Sequence, residues 1–418
     1  MMMSRQHPCR SVIVLLVFLV AHAAGFAATT TTTTSVNINA NVAPAVVMRT
    51  KDVVSRVAVA GATGRTGRLV VQELLERGVQ VVAMVRDLDK AKEVLEFQED
   101  IMNVVSDEDE SQQQQPRLII TKCDLTSEKQ IADALQDCDA AIWCATGFSE
   151  SPQVVVTVDE DPPFVQTIKR WMGIEPTLPP AEPPIRTSID TVGIPALAKC
   201  FLDKSNGDDD YDDKCDYPKV VMLSSAGVTR PSWDESKKVR LSGSADIPIV
   251  RLNPFGILEI KAASEDTLRQ SGAPYCIVRP AGLNDKDWPA GSRPVFSQGD
   301  VAVGRINRKD VARIMADVLS TKEATGKTFE AITLAGYPPA DSIGPALKRL
   351  KLDADGLPDE ETLHATYVTM QQLLPGEKQD SANIALGQTY EQMDKNEEGR
   401  FGPRGAEKVE QVALKPSS

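Results

Sequence analysis

The chain has 418 residues, of which 42% are hydrophobic and 25% are charged, ordinary proportions for a globular protein with a sizeable buried core. Its formal net charge of −13 at pH 7 argues against nucleic acid or an anionic membrane as the main partner. The three histidines, His7, His22 and His364, lie near the two ends of the chain. They exclude a histidine-based metal centre or a Ser-His-Asp triad within the core, and we predict no metal site.

The first 25 residues have the pattern of a secretory signal peptide. Arg5 and Arg10 precede an apolar run over residues 12–21, and small residues follow at 23–25. The run is too short to span a bilayer comfortably, so we expect no stable membrane span in the mature chain. A signal anchor or a buried helix is the alternative.

Residues 26–52 form a second segment of different composition. It is rich in Ala, Thr and Val, with six threonines at 29–34 and no acidic residue up to position 51. Such a hydroxylated, acid-poor composition is typical of an organellar transit peptide. A signal peptide joined to a transit-like segment, with Phe26 near the junction, resembles the bipartite plastid presequence of algae with secondary plastids. We therefore predict a plastid protein, with secretion or an endomembrane lumen as the alternative.

Cysteine usage favours the plastid. Six cysteines follow the signal peptide, at positions 123, 138, 144, 200, 215 and 276, and none forms a C-x-x-C pair. Three of them fall in or at the ends of predicted buried strands. This pattern indicates reduced, packed thiols rather than a secreted disulfide framework.

From Val57 onward, apolar runs of strand length alternate with helical patterns, which predicts βαβ units and a parallel sheet. The predicted strands cover 57–60, 81–85, 118–121, 140–144, 219–224, 275–279 and 328–334. The predicted helices cover 66–77, 88–97, 128–135, 188–202, 256–271, 310–319 and 362–374. The pattern predicts an α/β, Rossmann-type doubly wound parallel sheet over 53–336 and a partly helical C-terminal extension over 337–418.

Three stretches interrupt this rhythm. Residues 99–116 are acidic and then glutamine-rich, 149–184 are proline-rich, and 206–217 contain a run of aspartates. We interpret all three as solvated loop insertions, since loops tolerate length cheaply. A calcium site over 208–216 is a remote alternative, because that run lacks the spacing and the glycine of a calcium-binding loop.

The strongest chemical signal follows the first strand. The loop reads Gly61-Ala62-Thr63-Gly64-Arg65-Thr66-Gly67, with a strand before it and a helix after it. Glycines permit the sharp turn that brings backbone amides and the helix N-terminus against a pyrophosphate. An ordinary βα turn is the alternative, and the flanking elements argue against it.

Arg86 ends the second strand, at the position that selects between the two nicotinamide dinucleotides. An acidic residue there bonds the ribose hydroxyls of NAD, whereas an arginine suits the extra phosphate of NADP. Together with Arg65 and Lys90, which we expect at the same corner, Arg86 favours NADP(H) over NAD(H). The neighbouring Asp87 argues against this preference, and a simple ion pair between Asp87 and Lys90 is the structural alternative.

Several motifs, in order, resemble the atypical short-chain dehydrogenases/reductases, and within them the NmrA-like, NAD(P)H-binding group of plants and cyanobacteria. They are the glycine loop, Cys123-Asp124-Leu125-Thr126, Cys144-Ala145-Thr146-Gly147, residues 221–225, Lys261 and residues 275–283. The resemblance covers residues 55–334.

The resemblance implies a cofactor role for each matching position. Residues 61–67 would hold the pyrophosphate, and Arg86 would lie near the adenosine ribose. Asp124 and Leu125 would contact the adenine, and Ala145, Thr146 and Gly147 would line the central part of the cofactor. Ser224 and Ser225 would lie beside the nicotinamide, Lys261 would bond its ribose, and Pro280 with residues 281–282 would pack near its carboxamide. Alternatives of a structural kind remain: Asp124 could cap the next helix, Lys261 could be a solvated helix residue, and the two serines could simply end a strand.

One position departs from the family pattern. Catalytic members use Tyr-x-x-x-Lys, in which the tyrosine transfers a proton, whereas this chain has Ile257 four residues before Lys261. Isoleucine cannot transfer a proton, and Tyr275 falls in a buried strand where packing is its expected role. The catalytic residues are therefore unknown, and Ser224, Ser225 and Lys261 are the candidates.

Two classes of function follow. In the first, the protein is a plastid NADPH-dependent oxidoreductase that passes hydride to a quinone-, flavin- or carbonyl-like acceptor, with the proton supplied by solvent or by the substrate. In the second, it is a non-catalytic, redox-sensing NADP(H)-binding scaffold or assembly factor, whose helix over 362–374 would offer a surface to a protein partner. The substrate pocket would be built from the insertion after strand four and the segments beyond Leu283.

Overall fold

The computed structural model describes residues 50–95, 117–150, 186–205, 216–285, 292–335 and 337–373, together with short stretches between 385 and 406. The predicted signal peptide and nearly all of the transit-like segment lie outside the described residues. So do the insertion at 99–116 and most of those at 149–184 and 206–217.

The described residues form twelve strands. They are β1 Arg56–Ala60, β2 Gln80–Val85, β3 Leu118–Lys122, β4 Ala140–Trp143, β5 Phe148–Glu150, β6 Arg186–Ser188, β7 Val220–Leu223, β8 Tyr275–Pro280, β9 Gly282–Asn284, β10 Ser292–Ser297, β11 Arg305–Asn307 and β12 Lys327–Ala335.

Twelve α-helices accompany these strands in the same ranges. They are α1 Thr50–Val53, α2 Gly67–Glu76, α3 Leu88–Leu95, α4 Glu128–Ala134, α5 Ile189–Ser205, α6 Glu235–Arg240, α7 Ser242–Ala245, α8 Pro248–Leu252, α9 Ile257–Gln270, α10 Arg308–Asp317, α11 Gly344–Leu347 and α12 Glu360–Leu373.

Eight strands form one sheet in the order β10-β12-β8-β7-β4-β1-β2-β3. Every neighbouring pair is parallel except β10 and β12, so an antiparallel strand closes one edge. Two small pairs lie outside the sheet: β5 with β6, antiparallel, and β9 with β11, parallel. The architecture is the predicted Rossmann-type α/β fold with a mostly parallel sheet.

Both faces of the central strand β1 are covered, which explains why its residues are apolar without alternation. Val57 and Val59 pack with α2 and α10 on one face. Ala58 and Ala60 pack with α4, α5 and α9 on the other face. Successive side chains of a strand point to opposite faces, so a continuous apolar run feeds two cores at once.

The predicted strands and helices of the sheet domain are found within a few residues of their predicted limits. Strand β10, the pairs β5–β6 and β9–β11 and the short helices α6 to α8 are additional. Strand β10 contains Pro294 and polar residues, a composition that reads as a loop. An edge strand tolerates proline because half of its backbone groups need no ladder partner.

Helix α1 overlaps the last residues of the predicted transit-like segment. Helix α1 includes residues 50–52, and Thr50 is buried. Arg77 donates from Nη1 to Thr50 Oγ1 over 3.0 Å and pairs with Asp317 at 2.7 Å. Helix α1 is therefore held against the end of α2 and against α10.

The C-terminal extension contributes to the core. Leu363 on α12 packs with Trp233 and Val301, and Met370 packs with Ala302 and Val303. Across the part of the chain that the structure describes, no helix is long and apolar enough to cross a membrane.

A buried ionic cluster joins α9 to the sheet. Glu265 accepts hydrogen bonds from Arg279 Nε at 2.9 Å and from Arg269 Nη2 at 2.7 Å. Burial opposes ionisation of Glu265, but Arg279 and Arg269 outweigh it and hold the pKa of this carboxyl below its usual value.

We predict that Glu265→Gln lowers the free energy of unfolding at pH 7 by about 3–5 kcal/mol, because it removes the carboxylate that buried Arg279 contacts directly and leaves it only the more distant Glu330, at 4.0 Å. A carboxylate with a lowered folded-state pKa stabilises fully above about pH 4.3, its unfolded value, and this contribution is lost as the pH falls through the folded pKa. The difference between wild type and variant should therefore shrink in acid. Urea denaturation at pH 7 and pH 3 measures it.

The matched control is Asp266→Asn on the same helix. Asp266 is exposed and pairs with the same Arg269 at 2.6 Å. An exposed pair is worth at most about 1 kcal/mol. Equal losses in the two variants would contradict the role of the buried cluster.

Candidate cofactor site

The loops that follow the parallel strands meet at one edge of the sheet. Strand β1 pairs with β2 on one side and with β4 on the other, so the chain changes direction across the sheet between β1 and β4. In open α/β sheets, ligands bind in the crevice outside the carboxyl ends of the strands at such a switch point. The predicted cofactor residues follow these strand ends, from the glycine loop after β1 to Pro280 at the end of β8.

Two glycines of the loop, Gly61 and Gly67, leave no room for a side chain at their positions. Gly61 has a φ of +75°, and a Cβ there would lie 2.8 Å from the Cα and N atoms of Ala145. A Cβ on Gly67 would lie 2.1 Å from the carbonyl oxygen of Gly61. The turn is closed by the amide of Gly64, which donates to the Gly61 carbonyl over 2.9 Å. Bare backbone therefore faces the crevice, as a pyrophosphate requires.

Helix α2 begins at the end of this loop without a side-chain cap. Thr66 is its N-cap residue, and the Thr66 side chain makes no capping hydrogen bond. An uncapped helix N-terminus carries a partial positive charge and favours an anionic ligand.

At the end of β2, Arg86 is exposed and Asp87 has a structural role. Asp87 Oδ1 accepts hydrogen bonds from the amides of Asp89 and Lys90, both at 3.0 Å. Asp87 thus caps the start of α3. Asp87 therefore contacts Lys90 through the backbone amide of Lys90, and not through the side-chain ion pair considered as the alternative.

Arg65 does not join Arg86 as the sequence predicts. Its guanidinium forms an ion pair with Asp285, which follows β9, and Asp285 also pairs with Arg308 at the start of α10. Asp285 lies 220 residues from Arg65 in the sequence. In the sheet, β8 lies on one side of β1, and β2, which Arg86 follows, lies on the other side. Of the three cationic residues expected at that corner, Arg86 and Lys90 are the two that follow β2.

Asp124 and Leu125 follow β3. Asp124 Oδ1 accepts hydrogen bonds from the amide and the hydroxyl of Thr126, at 2.9 and 2.8 Å. Ser127, rather than Asp124, is the N-cap of α4. Leu125 is buried. Asp124 therefore shapes the loop through local hydrogen bonds and keeps an exposed position at the crevice.

After β4, Ala145 is buried against Gly61, while Thr146 and Gly147 are half-buried. The Gly147 carbonyl accepts a hydrogen bond from the amide of Ile189 at the start of α5. This contact connects the predicted cofactor loop to the helix that follows the insertion.

Lys261 lies on α9 and is buried, with 6% of its surface exposed. Its Nζ is 3.9 Å from Asp190 Oδ1 and has no hydrogen-bond partner among the described residues. Ile257 begins the same helix one turn earlier, so it occupies the face on which the family's tyrosine would stand. The structure therefore gives Lys261 a buried, charged surrounding rather than a solvated one.

A cavity of about 630 Å³ opens at this edge of the sheet. Ser224, Ser225 and Pro280 line it, as do Arg65 and the apolar residues Ile247 and Ile249 of the segment around α8. Further lining residues come from 302–305 and from the C-terminal stretch, namely Ala302, Val303, Ala385, Gln388 and Phe401. The C-terminal extension thus contributes a buried residue, Ala385, to the cavity.

One wall of the cavity is held by a buried arginine that the sequence analysis missed. Arg230 donates to the carbonyl oxygens of Asp300 at 2.9 Å, Ser244 at 2.7 Å and Ala302 at 2.9 Å. The Asp300 carboxylate accepts from the Thr229 amide at 2.8 Å. A single arginine and a single aspartate 70 residues apart form no recognisable sequence motif, so only the folded chain brings them together.

The described cysteines form no disulfide with one another. Burial raises the pKa of Cys123 to about 12, with the nearby carboxylates Asp124 and Asp133 acting in the same direction. Burial also raises the pKa of Cys144 to about 12, against the opposing charge of Lys261. Both thiols are therefore protonated at neutral pH. Within the described ranges, no group of His, Cys, Asp and Glu residues could hold a metal ion.

Comparison with known proteins gives two family matches in succession. Residues 54–170 match the NmrA-like family, and residues 213–322 match an NAD(P)H-binding family, so that the two models together cover more than half of the chain.

Curated relatives are described as chloroplastic. An uncharacterized chloroplastic protein of Arabidopsis thaliana is 28% identical over 290 residues, which is 68% of this chain and 78% of that protein. The chloroplastic protein TIC 62 of Pisum sativum is 25% identical over 293 residues, 68% of this chain, but the chain spans only 44% of it.

Among solved structures, a putative NAD-dependent epimerase/dehydratase from Bacillus halodurans is 21% identical, with a TM-score of 0.42 over 71% of this chain and 100% of that one. The chain therefore carries NmrA-like and NAD(P)H-binding family domains, which agrees with the group that its motifs resemble.

Proposed function

We propose that the protein binds NADP(H) and passes hydride to a quinone-, flavin- or carbonyl-like acceptor held in the cavity. The observation that carries this proposal is the position of the cavity. Its lining includes Ser224, Ser225 and Pro280, the residues that the family pattern places beside the nicotinamide. An acceptor in the cavity would lie next to the reactive end of the cofactor. The volume of about 630 Å³ is within the usual range for a small-molecule site.

The residues present fit a dinucleotide. The loop of Gly61 and Gly67 offers bare backbone, α2 offers an uncapped N-terminus, and Lys261 offers a buried ammonium with unfilled hydrogen-bonding capacity. Asp124, Leu125, Ala145, Thr146 and Gly147 would line the path between the adenine and the nicotinamide.

This chain has fewer groups that could donate a proton to the substrate than the catalytic members of the family. Ile257 cannot donate a proton. The Ser224 hydroxyl, which is buried and has no hydrogen-bond partner among the described residues, can donate a hydrogen bond to an acceptor oxygen, whereas the Ser225 hydroxyl already donates to the carbonyl of Ala226. NADPH would supply the hydride, and the protein would orient the acceptor. Acceptors that are protonated readily from solvent, such as quinones and flavins, suit a site of this kind.

The second candidate is a non-catalytic NADP(H)-binding scaffold or assembly factor. The observation in its favour is again Ile257, since a chain that only binds the cofactor needs no proton donor. For either function we propose a plastid location, which the chloroplastic relatives and the presequence pattern support. Secretion or an endomembrane lumen is the alternative.

Experiments on the purified chain from which the predicted presequence has been removed decide between the oxidoreductase and the scaffold. We expect NADPH to bind and to be oxidised when quinones, flavins or carbonyl compounds are offered. Binding without turnover across that panel would favour the scaffold, and failure to bind any nicotinamide dinucleotide would contradict both functions. Titration by NADPH fluorescence and absorbance at 340 nm measure the two quantities.

Gly61→Ala should weaken NADPH binding at least about tenfold, equivalent to about 1.4 kcal/mol, because the new methyl group would displace the loop after β4. Gly356→Ala is the matched control. Gly356 has the same φ of +75°, but a Cβ there would meet nothing within 4 Å. Both variants carry the left-handed backbone penalty, and only the first closes the crevice. Equal affinities in the two variants would contradict the assignment of the loop.

Arg86→Ala should raise the Kd for NADPH about 10- to 100-fold, the value of a charge-assisted hydrogen bond, and leave the Kd for NADH nearly unchanged. Arg117→Ala is the control. Arg117 is exposed and immediately precedes β3, at the amino ends of the strands, so its removal should change neither the Kd for NADPH nor the Kd for NADH. Equal losses for NADPH and NADH in Arg86→Ala would refute the contact with the 2′-phosphate.

A further inference from the structure

The ammonium of Lys261 is buried beside a carboxylate but does not touch it. The distance of 3.9 Å between Lys261 Nζ and Asp190 Oδ1 allows a Coulombic attraction and no direct hydrogen bond. Charged donor and acceptor in direct contact lie about 2.7–2.9 Å apart. A pair that serves stability alone gains most from that contact, so the gap needs another explanation.

Asp190 is held in place by other groups. It is fully buried near the start of α5, and its Oδ1 accepts a hydrogen bond from Trp143 Nε1 at 2.8 Å. Its amide donates to Ser188 Oγ over 3.2 Å. Helix α5 lies directly against the indole, since a Cβ on Gly193 would be 2.1 Å from a ring atom of Trp143. The carboxylate therefore has a fixed position that Lys261 does not determine.

An isolated buried ammonium costs several kcal/mol unless a counter-charge and hydrogen-bond acceptors compensate it. Asp190 provides the charge, whereas its distance leaves the N–H groups of Lys261 available for a ligand. Neutral hydroxyl oxygens complete such a site without adding a second negative charge. The vicinal hydroxyls of a ribose have this chemistry.

We propose that Asp190 is a positioning residue, which holds Lys261 charged and aimed at the nicotinamide ribose of a bound dinucleotide. The inference rests on the proposed function, because it needs a chain that binds NADP(H). It adds a residue that the motif pattern does not contain, carried by α5 and fixed through Trp143. Asp190 itself contacts neither cofactor nor substrate in this scheme.

The test compares two ligands. NADPH contains the nicotinamide ribose, whereas 2′,5′-ADP contains only the adenosine half and its phosphates. Asp190→Asn should weaken NADPH about tenfold, as expected for one hydrogen bond to a charged group, and change the affinity for 2′,5′-ADP less than about twofold. If both ligands weaken alike, or neither does, the proposal fails.

A double-mutant cycle shows whether Asp190 acts through Lys261. Lys261→Met should weaken NADPH by a similar factor, and Asp190→Asn added to it should cause no further loss of affinity. The double variant should also melt at a higher temperature than Lys261→Met, which leaves the carboxylate buried without a cation. An Asp190→Asn effect that persists in the absence of Lys261 would overturn the proposal.

Two further variants guard against misfolding. Asp139→Asn alters a carboxylate that accepts hydrogen bonds from the amides of Ser55 and Arg56. Asp139 immediately precedes β4, at the amino ends of the strands and away from the candidate site. The variant should leave the binding of both ligands unchanged. Should Asp190→Asn fail to fold, Trp143→Phe removes the hydrogen bond that orients Asp190 and keeps an aromatic ring, although a smaller one, in the buried position. It should weaken NADPH about threefold and spare 2′,5′-ADP, and equal effects on the two would contradict the proposal. A wild-type chain that binds neither ligand would instead refute the proposed function.

Discussion

The site depends on how closely two backbone segments approach each other. Parallel pairing of β1 with β4 brings the loops that follow these strands to the same edge, and the segment at Gly61 lies against the backbone of Ala145 with no room for a Cβ. Gly67 in turn lies against the Gly61 carbonyl. These two close contacts set the depth of the crevice and direct the N-terminus of α2 toward it. A side chain at either position would separate the loops and remove the proposed site for the pyrophosphate.

Buried charge, in addition to apolar packing, holds the cavity wall. Irregular segments expose carbonyl oxygens that need donors when they are buried. Arg230 satisfies three of them, in two different segments, and Asp300 receives backbone amides in return. Buried ion pairs are weak evidence of stability because desolvation opposes them. Their effect here is positional, since they fix the loops after β7 and β10 relative to each other.

Most of the fold was predictable because its strands are buried on both faces. Continuous apolar runs such as 57–60 and 81–85 mark these strands, and helices with one apolar face separate them. Strand β10 was not predicted, because Pro294 and its polar neighbours are typical of a loop and are tolerated in a strand only at the edge of a sheet. Which strand lies at the edge is decided only when the whole sheet assembles.

The site was predictable where its residues are contiguous and not where distant segments meet. The glycine loop and Arg86 follow strand ends, so the position of each in the sequence implies its place in the fold. The partners of Arg65, Arg230 and Lys261 are 220, 70 and 71 residues away in the chain, the last counted to Asp190. Charge alone suggested that Arg65 would join Arg86. The sheet order decided otherwise, because Asp285 lies beyond β8 and Arg86 beyond β2.

The arrangement around Lys261 separates two tasks that the family pattern combines. In Tyr-x-x-x-Lys the lysine both bonds the ribose and lowers the pKa of the tyrosine, so that its charge serves binding and proton transfer together. With Ile257 in place of the tyrosine, the second task is absent, yet the ammonium remains buried and opposite a carboxylate. A buried charge that served neither task would be expensive to keep. The site therefore retains what is needed to hold a dinucleotide, and any reaction depends on the chemistry of the molecule that enters the cavity.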